Sequence, residues 1–278
     1  MADSFLRDQC RFLPGILKAM VNPVLQELVT LSLKLGDPSS DLAILAEGNA
    51  SARLDDDHFY VKASGYSMRN IEAEGFSLVL FAPILDALNG PDLSDVEVRE
   101  LLSSSRADPD FYPRPSVETF MHAYLLGLPG VSVIGHTHPT PLISLLSIEG
   151  CEEIAGKRLF PDEVVCCGPA TAFVPYTDPG LPLARAIKAS VESFAAKFEM
   201  VPKTIWLQNH GLIALGRSVA DVESATLMGI KSARAWLGAL ATGRTLIPLT
   251  QENISRIHTR PDEHYRQELL WAMKHKGA

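Results

Sequence analysis

Residues 131–138 form an apolar run that ends in His136-Thr137-His138 and stops at Pro139. Side chains alternate along an extended strand, so His136 and His138 project from one face. Two imidazoles at that spacing can ligate one metal ion through neutral nitrogens; two ordinary polar histidines are the other reading. A second apolar segment is broken by Gln208-Asn209-His210-Gly211. Unpaired buried polar groups cost about 1–3 kcal/mol, so such a break in a core strand needs a reason. A surface turn using Asn and Gly for backbone freedom is one. A third imidazole ligand is the other. Three histidines with an open position belong to catalytic rather than structural zinc, and three neutral ligands leave the full dipositive charge to stabilise an oxyanion.

Glu118 follows Pro115-Ser116-Val117 and precedes an apolar helical pattern. A carboxylate in a first helical turn is favourable with the helix dipole whatever its chemistry. Beside a metal, the same group can serve as general base on a carbon acid. Small polar turns form a last group: Gly48-Asn49-Ala50-Ser51, Ser64-Gly65, and Ser116 at a helix N-cap position. Each has a plain role as a turn or cap. Together they can offer backbone N–H groups, an amide and hydroxyls to one phosphate.

The elements that must position these residues follow from periodicity. A helix is expected over residues 14–35, with Pro14 in its first turn and Pro23 able to split it. The run 43–45 is apolar and short. A hairpin follows, with arms 50–54 and 59–62 around Asp55-Asp56-Asp57. Helical signals recur at 83–88 and 96–102, and 109–115 is a Pro-rich loop. Ser116 is placed as the N-cap of the next helix. Short strands are expected at 164–167 and 172–175, helices at 181–198 and 219–240, and a strand at 204–207 that continues through 212–215. The tail from 250 to 275 reads as one or two helices. Mixed strands and helices with several hairpin-length connections give an α/β fold: a three-layer domain on a mixed sheet, with a helical tail.

Composition limits the alternatives. The chain has 278 residues, 46% hydrophobic and 21% charged, which is ordinary globular composition rather than disorder. The 25 Lys+Arg against 33 Asp+Glu give a formal charge of −8, and no basic block is present. Nucleic acid and anionic membrane are therefore not expected partners, although a few local dipoles can still hold a small anion. No stretch of about 20 apolar residues is present to span a bilayer, and the start Met1-Ala2-Asp3-Ser4 lacks a signal pattern. Cys10, Cys151, Cys166 and Cys167 show no CxxC spacing. They read as reduced core thiols in a cytoplasmic protein, with Cys166 and Cys167 on opposite faces of a strand.

Taken in order, these features resemble the class II aldolase/adducin family. Glu47-Gly48-Asn49-Ala50-Ser51 resembles its Gly-Asn-x-Ser loop, Ser64-Gly65 its second phosphate turn, and Ser116-Val117-Glu118 its Ser-Ser-Glu motif. His136-Thr137-His138-Pro139 resembles its metal strand and Asn209-His210-Gly211 its third-ligand turn. The resemblance implies a three-layer α/β/α domain over residues 12–247 with a central mixed, largely antiparallel sheet, and leaves 248–278 as a helical tail. It implies a zinc-dependent aldolase of the L-fuculose-1-phosphate type that cleaves a ketose phosphate through a zinc-stabilised enediolate. Mn2+ or Co2+ are possible in place of Zn2+. It also implies a homotetramer with active sites between subunits. His136, His138 and His210 would hold the metal, Glu118 would be the base, and Asn49, Ser64, Gly65 and Ser116 would bind phosphate. Tyr265 is the candidate for a tail tyrosine that protonates substrate across the interface. Val117 departs from the family, standing where a second serine is usual. Lys62 is either a compensating cation or a solvated strand lysine. The run from Arg114 to Thr119 is closer to long rhamnulose-phosphate aldolase variants. Sugar-phosphate epimerases and keto-acid decarboxylases on the same scaffold are the enzymatic alternatives, the former usually with Asp in place of Glu118. A metal-free adducin-like interaction module is the non-enzymatic one.

Overall fold

The structure, a computed structural model, describes residues 22–108 and 113–260. Cys10, Tyr265, and the ends of the expected first helix and tail lie outside the described residues. A seven-stranded sheet organises the rest: β1 (Asn49–Arg53), β2 (His58–Lys62), β3 (Phe76–Leu80), β4 (Val133–Thr137), β5 (Ala172–Val174), β6 (Thr204–Leu207) and β7 (Gly211–Gly216). Their order across the sheet is β3-β2-β1-β4-β7-β6-β5. Only the β5–β6 edge is parallel. The β1–β2 hairpin closes on Asp55, whose Oδ1 accepts the N–H groups of Asp57 and His58 at 2.9 and 2.8 Å, a local bond that short acidic side chains make readily.

Ten α-helices are found among the described residues: α1 (Pro23–Leu35), α2 (Phe81–Asn89), α3 (Asp95–Ser104), α4 (Thr119–Leu126), α5 (Thr140–Leu146), α6 (Cys151–Ala155), α7 (Pro161–Cys167), α8 (Leu181–Phe198), α9 (Val219–Leu240) and α10 (Gln251–His258). Strand alternation sends residues to two cores. Phe59, Val61, Ile134, Ile205, Leu207, Ile213 and Leu215 meet α2, α3, α4 and α8. On the other face, Ala50, Ala52, Tyr60, Val133 and Ala214 meet the leucines of α1 and Val222 and Ala225 of α9. Leu142, Leu145 and Leu146 of α5 extend that layer over Trp206, Leu212 and Trp236. The result is the expected three-layer α/β/α arrangement on a mixed, largely antiparallel sheet.

Several expectations are corrected. The strand expected at 164–167 is helix α7, begun by Pro161 with Asp162 and Glu163 in its first turn and ended at Gly168. Those are helix-start and helix-stop signals, and they override the β preference of Val-Val-Cys-Cys. Cys166 and Cys167 are thus helical neighbours, with the buried Cys167 Sγ 3.6 Å from the Ala225 carbonyl. Ser116 is not the N-cap of α4: the cap position is Glu118, and the Ser116 hydroxyl accepts the Glu118 N–H at 3.1 Å. The apolar stretch 76–88 divides into β3 and α2; Gly75 precedes the strand and Pro83 lies in the helix's first turn, but the junction between Leu80 and Phe81 carries no Gly or Pro of its own. Helix α1 starts at Pro23, where the Asn22 Oδ1 accepts the Val24 N–H at 3.0 Å. No helix among the described residues is long and apolar enough to cross a membrane.

Gly135 lets both helices of one layer press against β4. A Cβ there would lie 2.8 Å from Val222 Cγ1 and 3.0 Å from Leu35 Cδ1. Gly135→Ala is expected to lower stability by about 1–3 kcal/mol through overpacking. In urea denaturation the midpoint should fall with the m-value unchanged; an unshifted midpoint would show that α1 and α9 can retreat at no cost.

Candidate metal centre

His136 lies on β4 with Ile134, facing the α4 layer, and is fully buried. Its Nδ1 is 3.0 Å from the carbonyl oxygen of Leu212 on the adjacent strand. A carbonyl only accepts, so the proton sits on Nδ1 and the Nε2 lone pair is free. His138 follows the strand end, where its backbone N–H donates to the Leu42 carbonyl at 2.7 Å. Its Nδ1 faces Glu47 Oε2 at 3.3 Å, while Glu47 Oε1 accepts the Ile44 N–H at 2.7 Å. His210 sits in the β6–β7 turn. Asn209 adopts φ 54° there, and the His210 N–H donates to the Leu207 carbonyl at 3.1 Å. Gly211 is required by space, since a Cβ would stand 2.3 Å from the Thr137 carbonyl oxygen. The polar break in the sequence is therefore the turn of an antiparallel hairpin, and that turn aims an imidazole at β4.

The three Nε2 atoms converge. His138 Nε2 is 2.9 Å and His210 Nε2 is 3.3 Å from His136 Nε2, and one ligand atom from each ring lies within 4.8 Å of the others. With the His136 proton on Nδ1, unshared pairs face one another, and a cation relieves that repulsion. Three imidazole nitrogens with one side left open suit a divalent ion of the zinc type. Burial pulls His138 down to about 3 and His210 down to about 4, which keeps both neutral and ready to ligate. Burial also opposes charge on His136, but the Glu118 carboxylate and the hydrogen bonds raise it overall.

Glu118 Oε1 is 3.5 Å from Nε2 of both His136 and His210. Burial alone would raise its carboxyl; the imidazoles of His136, His210 and His122 hold it well below the ordinary carboxylate range. The four residues named for metal and base are thus brought together. Ser64, Gly65 and Ser116 form a second, adjacent group. The Ser64 N–H donates to the Arg114 carbonyl at 3.0 Å and Ala63 pairs with Pro115, which lays the exposed Ser64-Gly65 turn against the entry to α4. Asn49 lies elsewhere, buried on β1 opposite His136, with its Nδ2 donating to Glu118 Oε2 and its Oδ1 facing His122 Nε2.

Lys62 is neither solvated nor free. It is 3% exposed, and its Nζ donates to the carbonyls of Ala46, Ala63 and Tyr66 at 3.2, 3.4 and 2.6 Å. Burial pulls its pKa down to about 8. Two residues that sequence reasoning passed over belong to the site. Glu47 holds His138 from a distant loop, a pairing that no local pattern signals. His122 stands four residues after Glu118 on one helical face, and that spacing was a usable signal.

Comparison with known proteins identifies the family and the fold. The family model for the class II aldolase and adducin N-terminal domain matches residues 26–237. Among curated proteins, the uncharacterized oxidoreductase YuxG of Bacillus subtilis (strain 168) is 26% identical over 178 residues, which is 64% of this chain and 23% of that protein. The chain thus spans 23% of that relative's length. An N-terminal class II aldolase domain of a conserved protein from Thermoplasma acidophilum superposes with a TM-score of 0.62 at 24% identity, covering 78% of this chain and 94% of that one. An L-fuculose 1-phosphate aldolase superposes with a TM-score of 0.62 at 18% identity, covering 84% and 94%. At such identities the likeness to the two solved structures is one of fold.

Carboxylates that orient ligating histidines commonly contribute about 10–100-fold to metal affinity. Glu47→Gln is expected to weaken zinc binding by at least about tenfold in a chelator competition, and an unchanged affinity would remove Glu47 from the site. The pH dependence has a definite sign. The metal competes with the proton that Glu118 favours on His136, so affinity should fall about tenfold per unit as pH drops through the raised His136 value. Zinc titrations by calorimetry at a series of pH values would measure this.

Proposed function

Because the chain belongs to the class II aldolase and adducin family, we propose that it is a divalent-metal-dependent carbon–carbon lyase, an aldolase that cleaves a ketose phosphate or a related hydroxy-keto compound. The observation that carries this reading is the convergence of three Nε2 atoms from His136, His138 and His210 with Glu118 Oε1 3.5 Å from two of them. A divalent ion on those nitrogens, zinc by preference, would supply the Lewis acid that stabilises an oxyanion on the substrate's carbonyl group.

The residues of the chain do the rest. Glu118 stays ionised at neutral pH and exchanges the substrate proton: it accepts it when the carbon acid reacts in the condensation direction and returns it after cleavage. The half-buried Ser116 hydroxyl and the exposed Ser64-Gly65 turn offer donors to the anionic end of a substrate beside Glu118. Both short, rigid connections at the site, the β6–β7 turn and the end of β4, keep His210 and His138 from drifting while the substrate is exchanged. Presence of the full histidine set argues against the metal-free interaction module. Val117, 45% exposed between Ser116 and Glu118, favours one second reading, decarboxylation of an unphosphorylated keto acid, because it offers no hydroxyl to a phosphate where the family usually has a second serine.

Phosphorus NMR of the zinc-loaded protein with a panel of ketose 1- and 5-phosphates tests the proposal. A new dihydroxyacetone phosphate signal is expected. Interconversion of sugar phosphates without cleavage would replace the aldolase by an epimerase, and no change across the panel would transfer the assignment to keto acids. On a cleaved substrate, Glu118→Gln should keep one metal per site and lose about 100-fold or more in kcat.

A further inference from the structure

Behind Glu118, on the side of its Oε2 rather than Oε1, lies a closed row of polar side chains. Ser51 and His122 are fully buried and Asn49 is 3% exposed. Ser51 Oγ is 2.6 Å from His122 Nδ1, His122 Nε2 faces Asn49 Oδ1, and Asn49 Nδ2 donates to Glu118 Oε2. Read from the carboxylate outward, the donor of every bond is determined. A carboxylate only accepts, so Asn49 presents its NH2 to Glu118 and its carbonyl oxygen to His122. That oxygen requires a proton on His122 Nε2. Burial opposes charge on the ring and pulls it down to about 3, so His122 is neutral and its Nδ1 accepts the Ser51 hydroxyl.

We propose that His122 is a positioning residue for Glu118, acting through Asn49: its Nε2–H fixes the Asn49 amide so that Glu118 Oε2 is held from behind and only Oε1 is left to face the reacting groups. This rests on the reading of Glu118 as the proton-exchanging group. The row does not conduct protons. Passing one along would require the Asn49 nitrogen to give up a proton and form an imidic acid, so whatever proton Glu118 takes must enter and leave on the Oε1 side. Register and helix geometry make the row possible. Asn49 pairs with His136 and Ser51 with Ile134 across β1–β4, so both face α4, where Glu118 and His122 stand one turn apart. The hydrogen bonds of His122 run to Ser51 and Asn49 and not to the ligating histidines.

The test has two independent readouts. With asparagine-selective 15N labelling of the intact protein, the Asn49 side-chain amide should show one proton far downfield, from its bond to a carboxylate, in slow exchange with water. His122→Phe should abolish that signature, whereas His122→Gln, which restores an N–H near Nε2, should retain it. An ordinary, rapidly exchanging Asn49 amide in the wild type, or an unchanged one in His122→Phe, would overturn the proposal. The wild-type spectrum judges it even where the Phe variant does not fold. In turnover, His122→Phe should lose about tenfold or more in kcat with KM within about threefold and full metal content, and His122→Gln should recover part of the loss. In an Asn49→Ala background, His122→Gln and His122→Phe should cost nothing further. A loss that adds in full there would mean that His122 acts by another route. If no substrate is turned over, the aldolase reading fails, and the amide readout still decides whether His122 orients Glu118.

Discussion

Three imidazole nitrogens with unshared pairs turned toward one point repel each other, and the site persists only because each ring is held from outside. His136 is fixed by the Leu212 carbonyl, His138 by Glu47 and by its own backbone bond to Leu42, and His210 by a turn that admits only glycine at its next position. None of these restraints uses an atom that would bind the ion. The convergence is therefore set by contacts of the scaffold outside the ring nitrogens that face one another.

That requirement shapes the fold around it. One ring rides on β4, the second stands just past its end and the third on the β6–β7 turn, and direct pairing of β4 with β7 brings them together. Glu118 comes from the other direction, at the N-terminal end of α4, a helix whose residues are buried almost throughout. The carboxylate is thereby referenced to the sheet through Asn49 on β1 and to the histidines through space. Gly135 and the two cores on either side of β4 supply the rigidity that such distances need.

Much of this was legible in the sequence. The alternation at residues 131–138 placed His136 on a buried strand, and the Asn-His-Gly break marked the third histidine. The helices expected at 181–198 and 219–240 stand at those positions. What was illegible depended on partners distant along the chain. Strand β3 and helix α2 share one apolar run, and only packing on β2 decides where one ends. Helix α7 was misread because two valines and two cysteines favour a strand until Pro161 and the acidic first turn are given weight. The role of Glu47 follows from a loop folding back over the end of β4. Lys62 read as a solvated lysine because it ends strand β2 just before the Ser64-Gly65 turn, yet three carbonyl oxygens close around it.

That enclosed ammonium has a mechanical meaning. One cation serves the carbonyl of Ala46, next to Glu47, and those of Ala63 and Tyr66, on either side of Ser64-Gly65. The loop that steadies His138 and the Ser64-Gly65 turn thus share a single fastening, like two leaves on one hinge pin. Neither can shift without loading the other. A displacement of the turn and the stiffness of the loop behind His138 are linked quantities, and by reciprocity each is felt at the other with the same free energy.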